Sequence, residues 1–380
     1  MPSHEPPFDY DKANAPRRPS SRTATAPHRK KKRRRKIRKQ FIIAVIVSIA
    51  LLAGAVSLAA WGVSSLIRFV KNLPEKEPPV SDTLVEENSD PSMPSGSLVD
   101  DPPDLDLKPP FVITRTANTV TLPDDFPSEF AIVIDAESGE VLAQRKSEEV
   151  INPASMTKIL TLLVAAETIT DWDATFTMTI DITDYCFVND CSVVGYMVDE
   201  VIPVKELLYG CIMSSGADAC LALANVACGS HEAFVAKMNE KLVELGISDT
   251  AHFTNCVGLY DKDHHCTVED MAILMRAVLE NELCREVMAS RIYKTAPTAQ
   301  HPEGQDLSNW FIRRIEDKEL GDITVKGAKT GFVNQSGCCA VSYGERSDGH
   351  GYYVVTGNAY SQWRSIYDHA DLYAKYCQGS

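Results

Sequence analysis

Apolar and polar positions divide the chain into three stretches of different character. From Gln40 to Ile67 the sequence is apolar or small and carries no charge. From there to about residue 118 it turns to Pro, Ser, Asp and Glu without periodicity. Regular patterning begins only near residue 119. "FAIVIDAESGEVLAQRK" is a pair of short apolar runs broken at Glu-Ser-Gly, which predicts two strands of a hairpin. "NPASMTKILTLLVAAETI" is apolar almost all round and predicts a buried helix. Residues 204–213, 217–228, 231–245 and 267–281 predict further helices. "ITVKGAKTGFV", "GCCAVSYGE" and "GYYVVTGNA" predict three strands, the last two joined by "RSDGH", and "SIYDHADLYAKYC" predicts a final helix. Strands at both ends with helices between them predict an α+β domain over 119–380, one antiparallel sheet with a helical insertion.

Charge adds a topology. Residues 1–40 hold fourteen Lys/Arg against three Asp/Glu, whereas the whole 380-residue chain has a formal net charge of −14. The block "RKKKRRRKIRK" suits nucleic acid in isolation, but the apolar run directly after it argues against that use. A helix crosses the roughly 30 Å apolar layer of a bilayer with about 20 such residues. Lysine and arginine favour the cytoplasmic side. The expectation is therefore a basic cytoplasmic tail (1–40), a transmembrane helix (41–67) and a disordered acidic linker (68–118). The domain 119–380 then stands outside the cell membrane on a single-pass anchor. A cleaved signal peptide is the alternative, since "AGA" at 53–55 resembles a cleavage site, although signal cores are shorter. The acidic domain repels anionic polymers at low salt.

Eleven cysteines all follow residue 180. Cys186 and Cys191 bracket "FVND" and could close a small loop, while small buried hydrophobes are the plainer reading for most of the rest. No Cys/His set has zinc-site spacing, and "DKDHHC" (261–266) reads as a polar loop. None of the nine histidines sits in a nucleophile or metal motif.

Three short motifs carry candidate chemistry. "SMTK" gives Ser155 and Lys158, and the helix-start signal Asn152-Pro153 places both on one face of a first turn. A serine hydroxyl becomes a nucleophile when a base takes its proton, and an amine at i+3 can reach it. "KTG" gives Lys329, Thr330 and Gly331 on a strand, where glycine allows a ligand backbone to approach closely. Between them lies "MSSGADA" (213–219). Each motif is weak alone, but their order is that of the penicillin-recognising serine enzymes.

"NPASMTKILT", "SSGADACLALA", "TNCVGLYDKDHHCTVEDMAIL" and "GAKTGFVNQSGCCAVS" resemble the serine-type D-alanyl-D-alanine carboxypeptidases among the low-molecular-mass penicillin-binding proteins. The resemblance covers about residues 120–378. It implies the β-lactamase/D,D-peptidase-like transpeptidase fold and, residue by residue, a set of roles. Ser155 would attack the carbonyl of D-Ala-D-Ala with Lys158 as general base, and Ser215 would relay a proton to the leaving D-alanine. Lys329 would hold positive potential, and Thr330 would bind the terminal carboxylate with Arg364. Gly331 completes the strand motif, and the amides of Ser155 and Phe332 would form the oxyanion hole. The implied partners are peptidoglycan stem peptides and, as covalent inhibitors, β-lactam antibiotics. No cofactor and no metal is implied. The sequence departs from the family where Ala217 replaces a usual asparagine and Val257 a usual polar residue. Two other readings stay open: a catalytically impaired penicillin-binding sensor, suggested by Ala217, and a β-lactamase of the same fold, for which no Glu-x-x-x-Asn stands in the middle region.

Overall fold

The computed structural model describes residues 111–378. The basic tail, the apolar stretch and residues 68–110 of the acidic segment lie outside the described residues. Among those described, no single helix is long and apolar enough to cross a membrane.

The folded part begins earlier than the expected residue 119. Phe111 and Ile113 pack on the main core. Thr114 donates its amide to Gly139 and accepts from Val141, at 2.9 and 2.8 Å. These apolar side chains were hidden in a prolyl, acidic context that reads as linker. Next comes a short strand β1 (Val120–Thr121), followed by the hairpin β2 (Phe130–Asp135) and β3 (Val141–Arg145). A helical body follows: α1 (Lys158–Thr168), α2 (Ile180–Val188), α3 (Val204–Met213), α4 (Ala217–Cys228), α5 (His231–Glu244), α6 (Val268–Glu280) and α7 (Glu282–Ala289). Two small antiparallel strand pairs, β4 (Thr175–Thr177) with β5 (Val201–Pro203) and β6 (Ile292–Lys294) with β7 (Asp306–Ser308), flank it. The chain ends with the one-turn α8 (Ile312–Ile315), strands β8 (Ile323–Val333), β9 (Gly337–Arg346) and β10 (Gly351–Ala359), and α9 (Gln362–Tyr376).

The sheet runs β1-β3-β2-β10-β9-β8. Every pairing is antiparallel except β1 with β3, which is parallel, so the sheet is mixed rather than wholly antiparallel. Period-two alternation distributes each strand between two cores. Ile132 and Ile134 of β2 face the large core shared with α1 and α6, whereas Ala131 and Val133 face the smaller core under α8 and α9. Both faces are covered, which is why these strands read as continuous apolar runs. Capping sets the helix boundaries. Thr267 and Asp270 form a reciprocal capping box at α6. The Ser361 hydroxyl accepts from the Arg364 amide at 3.1 Å, starting α9 three residues before the predicted helix.

Two buried histidines make the fold acid-sensitive. Burial pushes His264 down to about 4 and His369 to about 3, from an ordinary 6.5. Below pH 6.5 the unfolded chain takes up protons at these rings and the folded chain does not, so stability is lost as pH falls toward those lower values. Together the two rings remove on the order of 5 kcal/mol by pH 4. Asp270 and Asp368, whose carboxyls burial pushes up, act in the opposite direction. Denaturant midpoints measured from pH 7.5 to 4.5 should fall, and His264→Gln should flatten the slope. An unchanged slope in that variant contradicts a buried neutral ring.

Candidate active site

The serine of the first motif sits on a tight turn. Residues Ala154–Thr157 form a 3-10 turn that runs straight into α1, so Ser155 lies one turn ahead of Lys158. Asn152 starts the turn, its side-chain oxygen accepting from the Ala154 amide at 3.0 Å. Ala154 has φ +45°, a conformation that costs a non-glycine residue about 1–3 kcal/mol and needs outside support.

That support comes from both sides. Gly258 has φ +79°, and a Cβ there would overlap the Ala154 carbonyl and lie 2.9 Å from the Ser155 nitrogen. On the other flank a Cβ at Gly331 would stand 2.9 Å from the Pro153 oxygen, 3.0 Å from the Ala154 Cβ and 2.7 Å from the Cys339 sulfur. Gly331 thus lets β8 close on the Ser155 turn, a nearer constraint than the ligand approach expected of it. From below, the Thr157 hydroxyl donates to the Ala154 carbonyl at 2.7 Å and contacts His264 Nε2 at 2.8 Å. His264 Nδ1 accepts from the Thr254 amide at 3.0 Å, which assigns the ring proton to Nε2. The "DKDHHC" loop therefore braces the site through a neutral ring.

Lys158 is buried, and its Nζ donates to Ser155 Oγ at 2.9 Å and to the Val257 carbonyl at 2.6 Å. Asn255 shapes that carbonyl's loop: its Oδ1 accepts from the amides of Val257, Gly258 and Leu259 at 3.2, 2.7 and 3.0 Å. Position 257 thus serves through its main chain, which is indifferent to the side chain present.

A second Ser–Lys pair faces the first. Lys329 Nζ donates to Ser215 Oγ at 3.0 Å and to the Thr330 carbonyl at 2.8 Å. Burial, and secondarily the Lys158 charge, pushes Lys329 down to about 7. Ser215 also lies at positive φ, +53°, between the end of α3 and the start of α4. Asp218, in the first turn of α4, gathers the amides of Val194 and Gly195 at 2.9 Å each. This fixes the segment that carries Ser192.

Ser155, Ser215, Lys329, Thr330, Gly331 and Phe332 line one open cleft of roughly 270 Å³. Arg364 is not among the lining residues. Its guanidinium is held on its own helix by Asp368 (2.7 Å from Nε) and Asp371 (2.9 Å). Gln362, two residues earlier, reaches the cleft instead. Ser192, Asn309 and Trp310 also line it, none of them in a motif that marked them beforehand.

Residues 116–359 match the family model described as D-alanyl-D-alanine carboxypeptidase (peptidase S11). Among curated relatives, the carboxypeptidase DacF of Bacillus subtilis is 31% identical over 231 residues, covering 60% of this chain and 56% of that one. DacB2 of Mycobacterium tuberculosis is 30% identical over 233 residues, covering 61% and 72%. The chain also spans 51% of DacA of Escherichia coli, about half the length of several such relatives. Among solved structures, a D-alanyl-D-alanine carboxypeptidase from M. tuberculosis superposes with TM-score 0.57 at 26% identity, covering 68% of this chain and 96% of that one. The Streptomyces K15 DD-transpeptidase shares the fold, with TM-score 0.59 at 23% identity over 67% and 99%. The chain belongs to the D-alanyl-D-alanine carboxypeptidase family.

Proposed function

We propose that the protein is a membrane-anchored, penicillin-binding serine D,D-carboxypeptidase that removes the terminal D-alanine of peptidoglycan stem peptides through an acyl-enzyme on Ser155. The observation that carries this reading is the pair of Ser–Lys contacts, Ser155–Lys158 and Ser215–Lys329, converging on one cleft. Lys158, held by the Val257 carbonyl, takes the Ser155 proton as Oγ bonds to the carbonyl carbon of the penultimate D-alanine. The developing oxyanion is met by the amides of Ser155 and Phe332, a contribution of about 3 kcal/mol per donor. Ser215, backed by Lys329, passes a proton to the departing amine, and water then releases the shortened peptide. Thr330 and the Lys329 charge receive the terminal carboxylate. Arg364 joins them only by leaving Asp368 and Asp371. A β-lactam follows the same path as far as the acyl-enzyme. The apolar stretch 41–67 holds the domain at the cell membrane with the basic tail inside.

Mass spectrometry of the protein after benzylpenicillin, followed by a peptide ending in D-Ala-D-Ala, tests the chemistry. An adduct on Ser155 and release of D-alanine are expected, and absence of the adduct contradicts the mechanism. An adduct without D-alanine release supports the sensor reading prompted by Ala217, and rapid turnover of the antibiotic supports a β-lactamase. Protease added to intact cells should remove the domain and spare the basic tail.

The Lys329 charge gives a pH signature. kcat/KM reports ionisations of the free enzyme, so acylation by carboxylate-bearing ligands should fall on the alkaline side with an apparent pKa near the value of about 7 given by burial. Lys329→Arg keeps the charge and should remove that limb. A wild-type profile flat from pH 6.5 to 8.5 contradicts the assignment.

A further inference from the structure

Helix α2 ends in a geometry that places two thiols against each other. The Cys191 amide donates to the Cys186 carbonyl at 2.9 Å and the Asp190 amide to the Phe187 carbonyl at 3.3 Å, with Asp190 left-handed at φ +50°. These are the paired bonds of a Schellman stop, whose characteristic side-chain contact joins the third-from-last helical residue to the second residue beyond the cap. Here those residues are Cys186 and Cys191. Both side chains line one cavity with Phe187, Asp190 and Asp218, and Cys191 packs against the core to which Cys186 belongs.

Access and reactivity favour this pair over the other cysteines. Cys191 is half-buried, whereas Cys211 and Cys220, with sulfurs 3.3 Å apart, are both fully buried. The neighbouring Cys186 thiol lowers Cys191, while Cys191 and then burial raise Cys186. One member is thus suited to attack and the other to wait as a protonated partner. The next residue, Ser192, lines the active-site cleft, and its carbonyl accepts from the Ala217 amide at 2.8 Å.

We propose that Cys186 and Cys191 form a reversible thiol-modification site at the wall of the active-site cleft, closed to a disulfide by exchange with small-molecule disulfides. In the first step the Cys191 thiolate bonds to one sulfur of the small disulfide, whose S–S bond breaks and expels one thiolate. Cys186 then loses its proton to solvent and attacks the Cys191 sulfur, expelling the second thiolate. Two protein thiols are oxidised to one disulfide while one small disulfide is reduced to two thiols. Because the Schellman stop already pairs the side chains, closure pins the six-residue loop without moving Ser192.

The test treats the native full chain with glutathione disulfide and maps the products after tryptic digestion without reductant. Cys186 and Cys191 fall in the peptide spanning 159–205, and Cys211, Cys220 and Cys228 in that spanning 206–237. The expected result is loss of two hydrogens in the 159–205 peptide, reversed by dithiothreitol. Closing so short a loop should raise the melting temperature by roughly 3–8 °C. Cys186→Ser should instead hold a lasting glutathione adduct on Cys191, and Cys191→Ser should leave that peptide unmodified. Modification confined to 206–237, a lasting adduct on Cys191 in the wild type, or no reaction while the unfolded chain reacts would each overturn the proposal.

Discussion

Ser155→Ala should retain the fold, lose the benzylpenicillin adduct entirely and release D-alanine at least about 10⁴-fold more slowly, the scale seen when a serine nucleophile is removed. Lys158→Ala should cost a similar factor, because Nζ is the only side-chain nitrogen bonded to Ser155 Oγ among the described residues. The double variant should be hardly worse than either single one, since nucleophile and base act as a unit. Ser215→Ala should fall less, by about 10²–10⁴, as expected for a proton relay. Stopped-flow acylation and D-alanine release on the four proteins decide the matter. Additive losses in the double variant, or full acylation by Ser155→Ala, would place the nucleophile elsewhere.

Gly258→Ala should be the most damaging substitution outside the reacting groups. Alanine at φ +79° is strained, and its Cβ would overlap the Ala154 carbonyl, which is backbone and cannot rotate aside. The two effects together cost roughly 3 kcal/mol or more. The surviving folded protein would also carry a displaced Ser155, and a shift near 1 Å is worth about 10² in rate. Gly229→Ala is the control. It has φ +76° but nothing within 4 Å of the added carbon, so it should cost only about 1 kcal/mol and leave acylation intact. Equal behaviour of the two variants in denaturant melts and acylation would show that Gly258 is needed for its conformation alone.

Much of this arrangement is legible along the chain, and what is hidden is hidden for identifiable reasons. The strand over 351–359 and the helices over 204–213 and 217–228 declare themselves because burial on two faces, or all round, leaves long apolar runs. Helix α2 does not, since it is short and stops through a left-handed aspartate where a glycine would have marked the end. Ser155, Lys158, Ser215 and Lys329 could be named because their chemistry lies in their side chains. The Val257 contribution could not, because it is a backbone carbonyl aimed by Asn255. Arg364 shows the converse: its position was readable but not its direction, which the i+4 carboxylate of Asp368 decides.

The strand order also fixes a timetable for the nascent chain. β2 pairs with β10, joining Phe130 to Gly357. The hairpin made first therefore waits for nearly the whole domain to be synthesised, roughly 10–45 s at about 5–20 residues per second. Through that interval one edge of β2 has no neighbour, and the face carrying Ala131 and Val133 still lacks α9. Whatever carries the emerging chain must cover this hairpin until the last strand arrives.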